Sequence, residues 1–122
     1  MSVFIDQMIF MQACDQTVGQ FNEDQLNMYF GLMEEEGGEL ADAIAKQDKV
    51  QTLDALIDIM VVTIGAIHSL GVDAEGAWRE VRDSNLAKID GNTGKVIKRE
   101  DGKVLKPGGW TPPDLAKYVR AI

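Results

Sequence analysis

Five carboxylates in this chain stand at spacings that let them act together. Glu35, Glu36 and Glu39 fall within little more than one helical turn, and Asp54 and Asp58 are one turn apart further on. On a helical wheel of about 100° per residue, Leu26, Phe30, Met33, Gly37, Leu40 and Ile44 set the centre of the first segment's apolar face. Glu36 falls inside that arc, Glu35 and Glu39 fall at its edge, and Glu34 falls on the far side, in solvent. In the second segment Leu53, Leu56, Ile57, Met60, Ile64 and Ile67 form one broad apolar face. Asp54 and Asp58 lie on the other side, in line with Gly65 and flanked by Val61 and Val62. An acid inside an apolar arc needs compensation, because burying an unpaired carboxylate is costly. If the two acidic stripes face each other, the carboxylates repel and their pKa values rise until a cation enters. Oxygen-only ligands suit Mg²⁺, with Mn²⁺ the alternative. Each stripe alone has a plainer account, a solvated charge run or acids complementing a helix dipole. Their occurrence together on successive helices favours the metal.

Gly37 and Gly38 sit between these acids, where each costs a helix about 1 kcal/mol relative to Ala. They imply close helix packing, a kink, or room for a ligand. A second group of side chains suits an anion. Asn85 and Lys88, three residues apart, share a helix face, and Arg82 lies one turn earlier. Lys103 and Lys106 follow in a basic stretch, where they either reach phosphates or protect a strand edge from aggregation.

The elements that must carry these residues follow from periodicity and stop signals. A first helix is predicted from Ser2 to Val18, stopped by Gly19. Asn22, with Gln25 three residues on, reads as a capping box for a helix from Glu23 to Lys46. Asp48 caps a third helix, which ends at Gly71 after Leu70, and Asp73 a fourth, from Ala74 to Ile89. Beyond Gly91, Lys95–Arg99 and Lys103–Lys106 flank Glu100-Asp101-Gly102 as a short hairpin. An irregular Pro- and Gly-containing arm and a last short helix after Asp114 complete the chain. The expected fold is all-α, a bundle of four to five helices with a short C-terminal hairpin and arm. One domain is expected over residues 1–122, with a helical core over 1–90 and the hairpin and arm over 91–122.

Charge sets limits on partners. The net charge is −8, from 12 bases and 20 acids, which argues against nucleic acid or an anionic membrane as partner. No base precedes Lys46, whereas acids and bases are nearly balanced after it. The first part suits cations and the second anions. Cys14 is the only cysteine, which rules out an internal disulfide and a cysteine-based zinc site. The N-terminal apolar stretch lacks a basic region and is broken by Asp6 and Gln7, so it reads as a helix and not as a secretory signal. The run Ile59–Ile67 is too short for a bilayer, and a cytoplasmic location is expected. His68, the single histidine, reads as a satisfied residue near a helix end, Tyr29 as core, and Trp78 and Trp110 as packing anchors, either able to stack on a base. Helices amphipathic on more than one side imply a homodimer or homotetramer.

Glu35-Glu36-Gly37-Gly38-Glu39 fits an E-E-x-x-E signature, and Asp54-Ala-Leu-Ile-Asp58 stands where an E-x-x-D element follows. Ser84-Asn85-Leu86-Ala87-Lys88 and Asp101-Gly-Lys-Val-Leu-Lys-Pro107 add to the match. With these motifs the chain resembles the MazG-like and phosphoribosyl-ATP pyrophosphohydrolase-like superfamily of all-α NTP pyrophosphatases, in a branch found in phage and bacterial genomes. The resemblance covers about Asn22 to Leu115. It implies Mg²⁺-dependent hydrolysis of a nucleoside triphosphate to the monophosphate and pyrophosphate. It makes Glu35, Glu36, Glu39 and Asp58 the metal-site carboxylates, with Glu36 or Glu39 orienting the attacking water. It also assigns substrate contacts to Asn85 and Lys88. One position departs from the pattern. The first acid of E-x-x-D falls at Ala55, which cannot ligate, and Asp54 is the candidate to replace it. Ala55 is also the feature that favours the alternative, a non-catalytic helical module that binds a nucleotide or a partner.

Overall fold

The computed structural model describes residues 2–119. Among these residues are four α-helices, α1 (Val3–Ala13), α2 (Glu23–Ala45), α3 (Lys49–Ser69) and α4 (Ala74–Leu86), followed by a 3₁₀ turn at Ala116–Tyr118. The described residues form no sheet, only isolated antiparallel bridges. The protein is all-α, as the periodicity predicts. The described residues divide into two compact units, one built from residues 2–74 and 119 and the other from residues 75–118.

The helix starts follow the sequence signals. Ser2 Oγ accepts from the Ile5 N–H at 3.1 Å, Asn22 Oδ1 from the Gln25 N–H at 3.1 Å, and Asp48 Oδ1 from the Gln51 N–H at 3.0 Å. Each satisfies an N-terminal amide that the helix itself cannot. The ends differ from expectation. Helix α1 stops at Ala13 and not at Val18, because Asp15 turns left-handed (φ 59°). The Gln16 N–H then donates to the Met11 carbonyl at 2.9 Å and the Asp15 N–H to Gln12 at 3.1 Å, a Schellman ending without glycine. Gln47 (φ 56°) ends α2 in the same way, with the Asp48 N–H on the Ala43 carbonyl. Helix α4 ends at Leu86, three residues short of Ile89, and turns follow it.

In the first unit α2 and α3 form the principal helix pair. Their register is pinned at one end by polar groups. The Asn22 N–H donates to the Ser69 carbonyl at 2.9 Å, and Gln25 Nε2 donates to Ser69 Oγ and to the Thr17 carbonyl. Gln25 therefore binds the preceding loop and α3, and does not reach back to Asn22 as a capping box would. Next along the helices, Tyr29 lies on Gly65 so closely that a Cβ there would stand 2.3 Å from the ring. Tyr29, Met11 and Val62 form the core cluster, with Val18, Leu32, Met33 and Ala66 packed against it. The Tyr29 hydroxyl donates to the Gln16 side chain. Helix α1 is held to α3 by His68, whose Nε2 lies 2.8 Å from the Phe4 carbonyl.

The buried stripes differ from the wheel reading. On α2 the buried residues are Tyr29 and Ala43, while Phe30 and Ile44 remain more than half exposed. The inward stripe is thus 29–36–43, and Glu36 lies at its centre. On α3 the inward stripe is Ala55, Val62, Gly65 and Ser69, which includes the Asp58 position. Of the broad apolar face, Leu53, Leu56, Ile57 and Met60 are instead 45–60% exposed, Ile67 is half-buried and Ile64 is buried. By length and a mean hydropathy of 1.7, α3 would also suit a bilayer, so its short central run does not settle that question.

Candidate functional site

Helix geometry carries the register to the acids. Seven residues beyond Tyr29 on α2 is Glu36, and seven residues before Gly65 on α3 is Asp58. Both steps cover about 10.5 Å of antiparallel helix, so a pair in contact at Tyr29–Gly65 implies a pair at Glu36–Asp58. Glu36 is half-buried there, and its Oε2 is buried without a hydrogen-bond partner. Its pKa is raised, first by desolvation, then by a hydrogen bond with Glu39 and by the charges of Glu39, Asp58 and Glu35. Three of the other four carboxylates singled out in the sequence therefore act on Glu36. Asp54 is exposed and is not among the acids that raise Glu36, and Ala55 beside it is buried in the helix stripe.

Gly37 and Gly38 face open space, and a Cβ at either would meet no atom within 4 Å. Close packing is not their role, and α2 runs through them without a break. The close helix approach is at Gly65.

Within the second unit the anion-binding candidates separate. Lys88 Nζ donates to Asn85 Oδ1 at 3.2 Å. Lys88 and Lys106 both lie over the Trp110 ring, at 5.3 and 4.8 Å from its centroid. The indole N–H donates to the Ser84 carbonyl at 2.8 Å, which fixes the ring. Arg82 pairs instead with its neighbour Asp83 at 3.0 Å. Lys103 is placed by the hairpin, where the Arg99 N–H donates to its carbonyl and Gly102 takes φ 89°. Trp78, expected to pack, is 57% exposed.

A sequence model of the phosphoribosyl-ATP pyrophosphohydrolase family matches residues 5–85, more than half of the chain. The chain belongs to this family. It thereby falls in the MazG-like all-α NTP pyrophosphatase superfamily, in keeping with the motifs in its sequence. No curated protein matches it. Membership of the phosphoribosyl-ATP pyrophosphohydrolase family points to hydrolysis of an acid anhydride in a nucleotide substrate. Enzymes of the family generally depend on a divalent metal. The acids of α2 and α3 fit such an ion by their chemistry: all donors are oxygen, Glu36 Oε2 has no partner among the described residues, and like charges raise the Glu36 pKa. As placed, they gather within charge range and not within ligand range. Among the described residues no three carboxylate, imidazole or thiol groups converge on one point.

Glu80 was not legible as a special residue, beyond its place in the family-like segment. Its carboxylate accepts from the Asp114 N–H at 2.9 Å and the Tyr118 hydroxyl at 3.4 Å, and pairs with Lys117 at 3.6 Å. The Asp114 amide, more than the charge of Lys117, holds its pKa low. These partners lie more than 30 residues away in sequence, and no local spacing announces them.

Proposed function

We propose that the protein is a Mg²⁺-dependent hydrolase that cuts a nucleoside triphosphate, ribo or deoxy, to the nucleoside monophosphate and pyrophosphate. The observation that carries this reading is Glu36, an acid centred in the packed stripe of α2, with an orphaned oxygen and three other acids raising its pKa. Glu35, Glu36, Glu39 and Asp58 would hold the ion, and Asp54 is the least committed of the five. When bound, Mg²⁺ would polarise the phosphate chain and neutralise charge on the leaving pyrophosphate.

The remaining chemistry belongs to the side chains. Glu36 or Glu39 orients the attacking water and accepts its proton at a carboxylate oxygen. A raised pKa moves Glu36 towards the range in which a general base works near neutrality. Asn85, Lys88 and Lys106, with Arg82 and Lys103 as further bases, supply donors and positive charge for phosphate oxygens. We also assign a second copy of the chain to the exposed apolar face of α3, as a homodimer or homotetramer.

The test is turnover of a panel of NTPs and dNTPs with and without Mg²⁺, following pyrophosphate and monophosphate. Metal-dependent release of both in equal amounts is expected, and release of orthophosphate would refute this scission. Glu39→Gln should lower kcat by at least about 100-fold with an unchanged circular dichroism spectrum. A variant with near-normal kcat removes Glu39 from the site.

A further inference from the structure

The arm that follows the hairpin is fastened to α4 at two points. The Trp110 indole N–H donates to the Ser84 carbonyl at 2.8 Å, and the Glu80 carboxylate accepts from the Asp114 N–H at 2.9 Å. Glu80 and Ser84 stand one turn apart, so both anchors lie on one face of α4. Pro112 and Pro113 restrict the backbone between the anchors. A tight turn leads into the first anchor. The Trp110 backbone N–H donates to the Pro107 carbonyl at 3.1 Å, and Gly109 takes φ 80°, which such a turn requires at its third residue. The indole is therefore fixed by its backbone on both sides and by its own N–H.

Two cations converge on this fixed ring. Lys106, just before the turn, places Nζ 4.8 Å from the ring centroid, and Lys88, just past the end of α4, places Nζ at 5.3 Å. Like charges repel, and the electron-rich face of the indole offsets that repulsion. Among the described residues the ion pairs of this unit engage Arg82, Arg99 and Lys117 instead. Lys88 directs one N–H to Asn85 Oδ1 at 3.2 Å, which leaves donors on both ammonium groups for an anion.

We propose that Trp110 is a positioning residue: it holds Lys88 and Lys106 at one ring, so that both meet the phosphates of a single ligand. A solvated lysine loses rotamer freedom when it engages an anion, and two such losses weaken binding. The ring takes those losses during folding. That the ligand is the substrate rests on the pyrophosphohydrolase reading, whereas the joint placement of the two cations does not.

Fluorination tests this role without reshaping the ring. Fluorine draws electron density from the π face, on which cation–π attraction depends, and leaves the indole N–H in place. In full-length Trp78→Phe, Trp110 is the only tryptophan. It is replaced in turn by mono-, di- and tetrafluorotryptophan. Inorganic pyrophosphate is titrated into each form by calorimetry, with a chelator present so that no divalent ion contributes. Affinity should fall with each added fluorine, by about ten-fold in the tetrafluoro form, with an unchanged circular dichroism spectrum. The dependence on fluorine should shrink in Lys88→Met and in Lys106→Met, because each removes one of the cations on which the ring acts. In NTP turnover, KM should rise along the same series at constant kcat. A ring that only packs would give a flat series. The proposal is overturned if pyrophosphate does not bind the unfluorinated form, or if affinity stays flat or rises with fluorine. It is also overturned if the dependence persists undiminished in both lysine variants. Fluorine-dependent binding without NTP hydrolysis would sink only the catalytic reading. Hydrolysis with a KM indifferent to fluorine would sink only the role of Trp110.

Discussion

At the scale of single residues, the two most informative side chains are carboxylates with opposite environments. Glu36 has lost solvent and gained like charges, so its ionised form opposes the folded state. Glu36→Gln removes that repulsion. The metal-free variant should melt at a higher temperature than the parent, and Mg²⁺ should raise the Tm of the parent but not that of the variant. A variant that melts lower and still responds to Mg²⁺ would contradict a cation-seeking role. Glu80 is the reverse case, held ionised by the Asp114 amide and Lys117. A depressed pKa means the folded state binds the proton less readily than the unfolded chain does. Its contribution is therefore present above the ordinary glutamate value of 4.5 and lost as pH falls through the lower folded value. Thermal melts across that range should show a smaller acid-side loss of stability in Glu80→Gln than in the parent. At neutral pH the variant should melt below the parent.

At the scale of elements, the site depends on how α2 lies on α3. Glycine at position 65 lets the Tyr29 ring sit against the α3 backbone, and the same contact sets the register that brings Glu36 to Asp58. Gly65→Ala places a Cβ 2.3–2.7 Å from three ring atoms. The ring cannot swing away freely, because its hydroxyl is bonded to Gln16 and it is only 4% exposed. Overpacking of this kind costs about 1–3 kcal/mol. The denaturant midpoint of Gly65→Ala should fall accordingly, with the slope unchanged, and an unaltered midpoint would show that the helices separate there at no cost. Gly37→Ala makes the useful contrast. It meets no neighbour, gains helix propensity, and should be neutral or stabilising.

At the scale of the whole molecule, the exposed apolar surface of the first unit is where the proposed second copy would sit. Val50 is 78% exposed and Leu53 60%, and the stripe continues through Ile57 and Met60. Apolar stripes of this size mark association surfaces. The proposed second copy would cover this stripe and leave Asp54 and Asp58 beside water. Leu53→Glu should shift the mass measured by light scattering from oligomer to monomer. If the parent is already a monomer at micromolar concentration, a second copy is not the cover.

The sequence by itself determined the fold class, the family and most helix starts. Asn22 and Asp48 announce helix starts because capping is local, and the acids announce a cluster of like charge around Glu36 because charge type is intrinsic to the residue. The hairpin turn at Gly102 is legible for the same reason. Only tertiary structure decided which apolar residues are buried. A wheel centres α2 on Leu26, Phe30, Met33, Gly37, Leu40 and Ile44, but burial is set by the neighbour, and α3 takes the stripe of Tyr29, Glu36 and Ala43 while Phe30 and Ile44 stay exposed. The helix ends at Asp15 and Gln47 were not legible either, because both residues adopt a left-handed conformation that glycine more often marks. Nor was the meeting of Lys88 and Lys106 at Trp110, or the clasp at Glu80. These depend on contacts between residues far apart in the chain, and no local spacing encodes a distance that only folding sets.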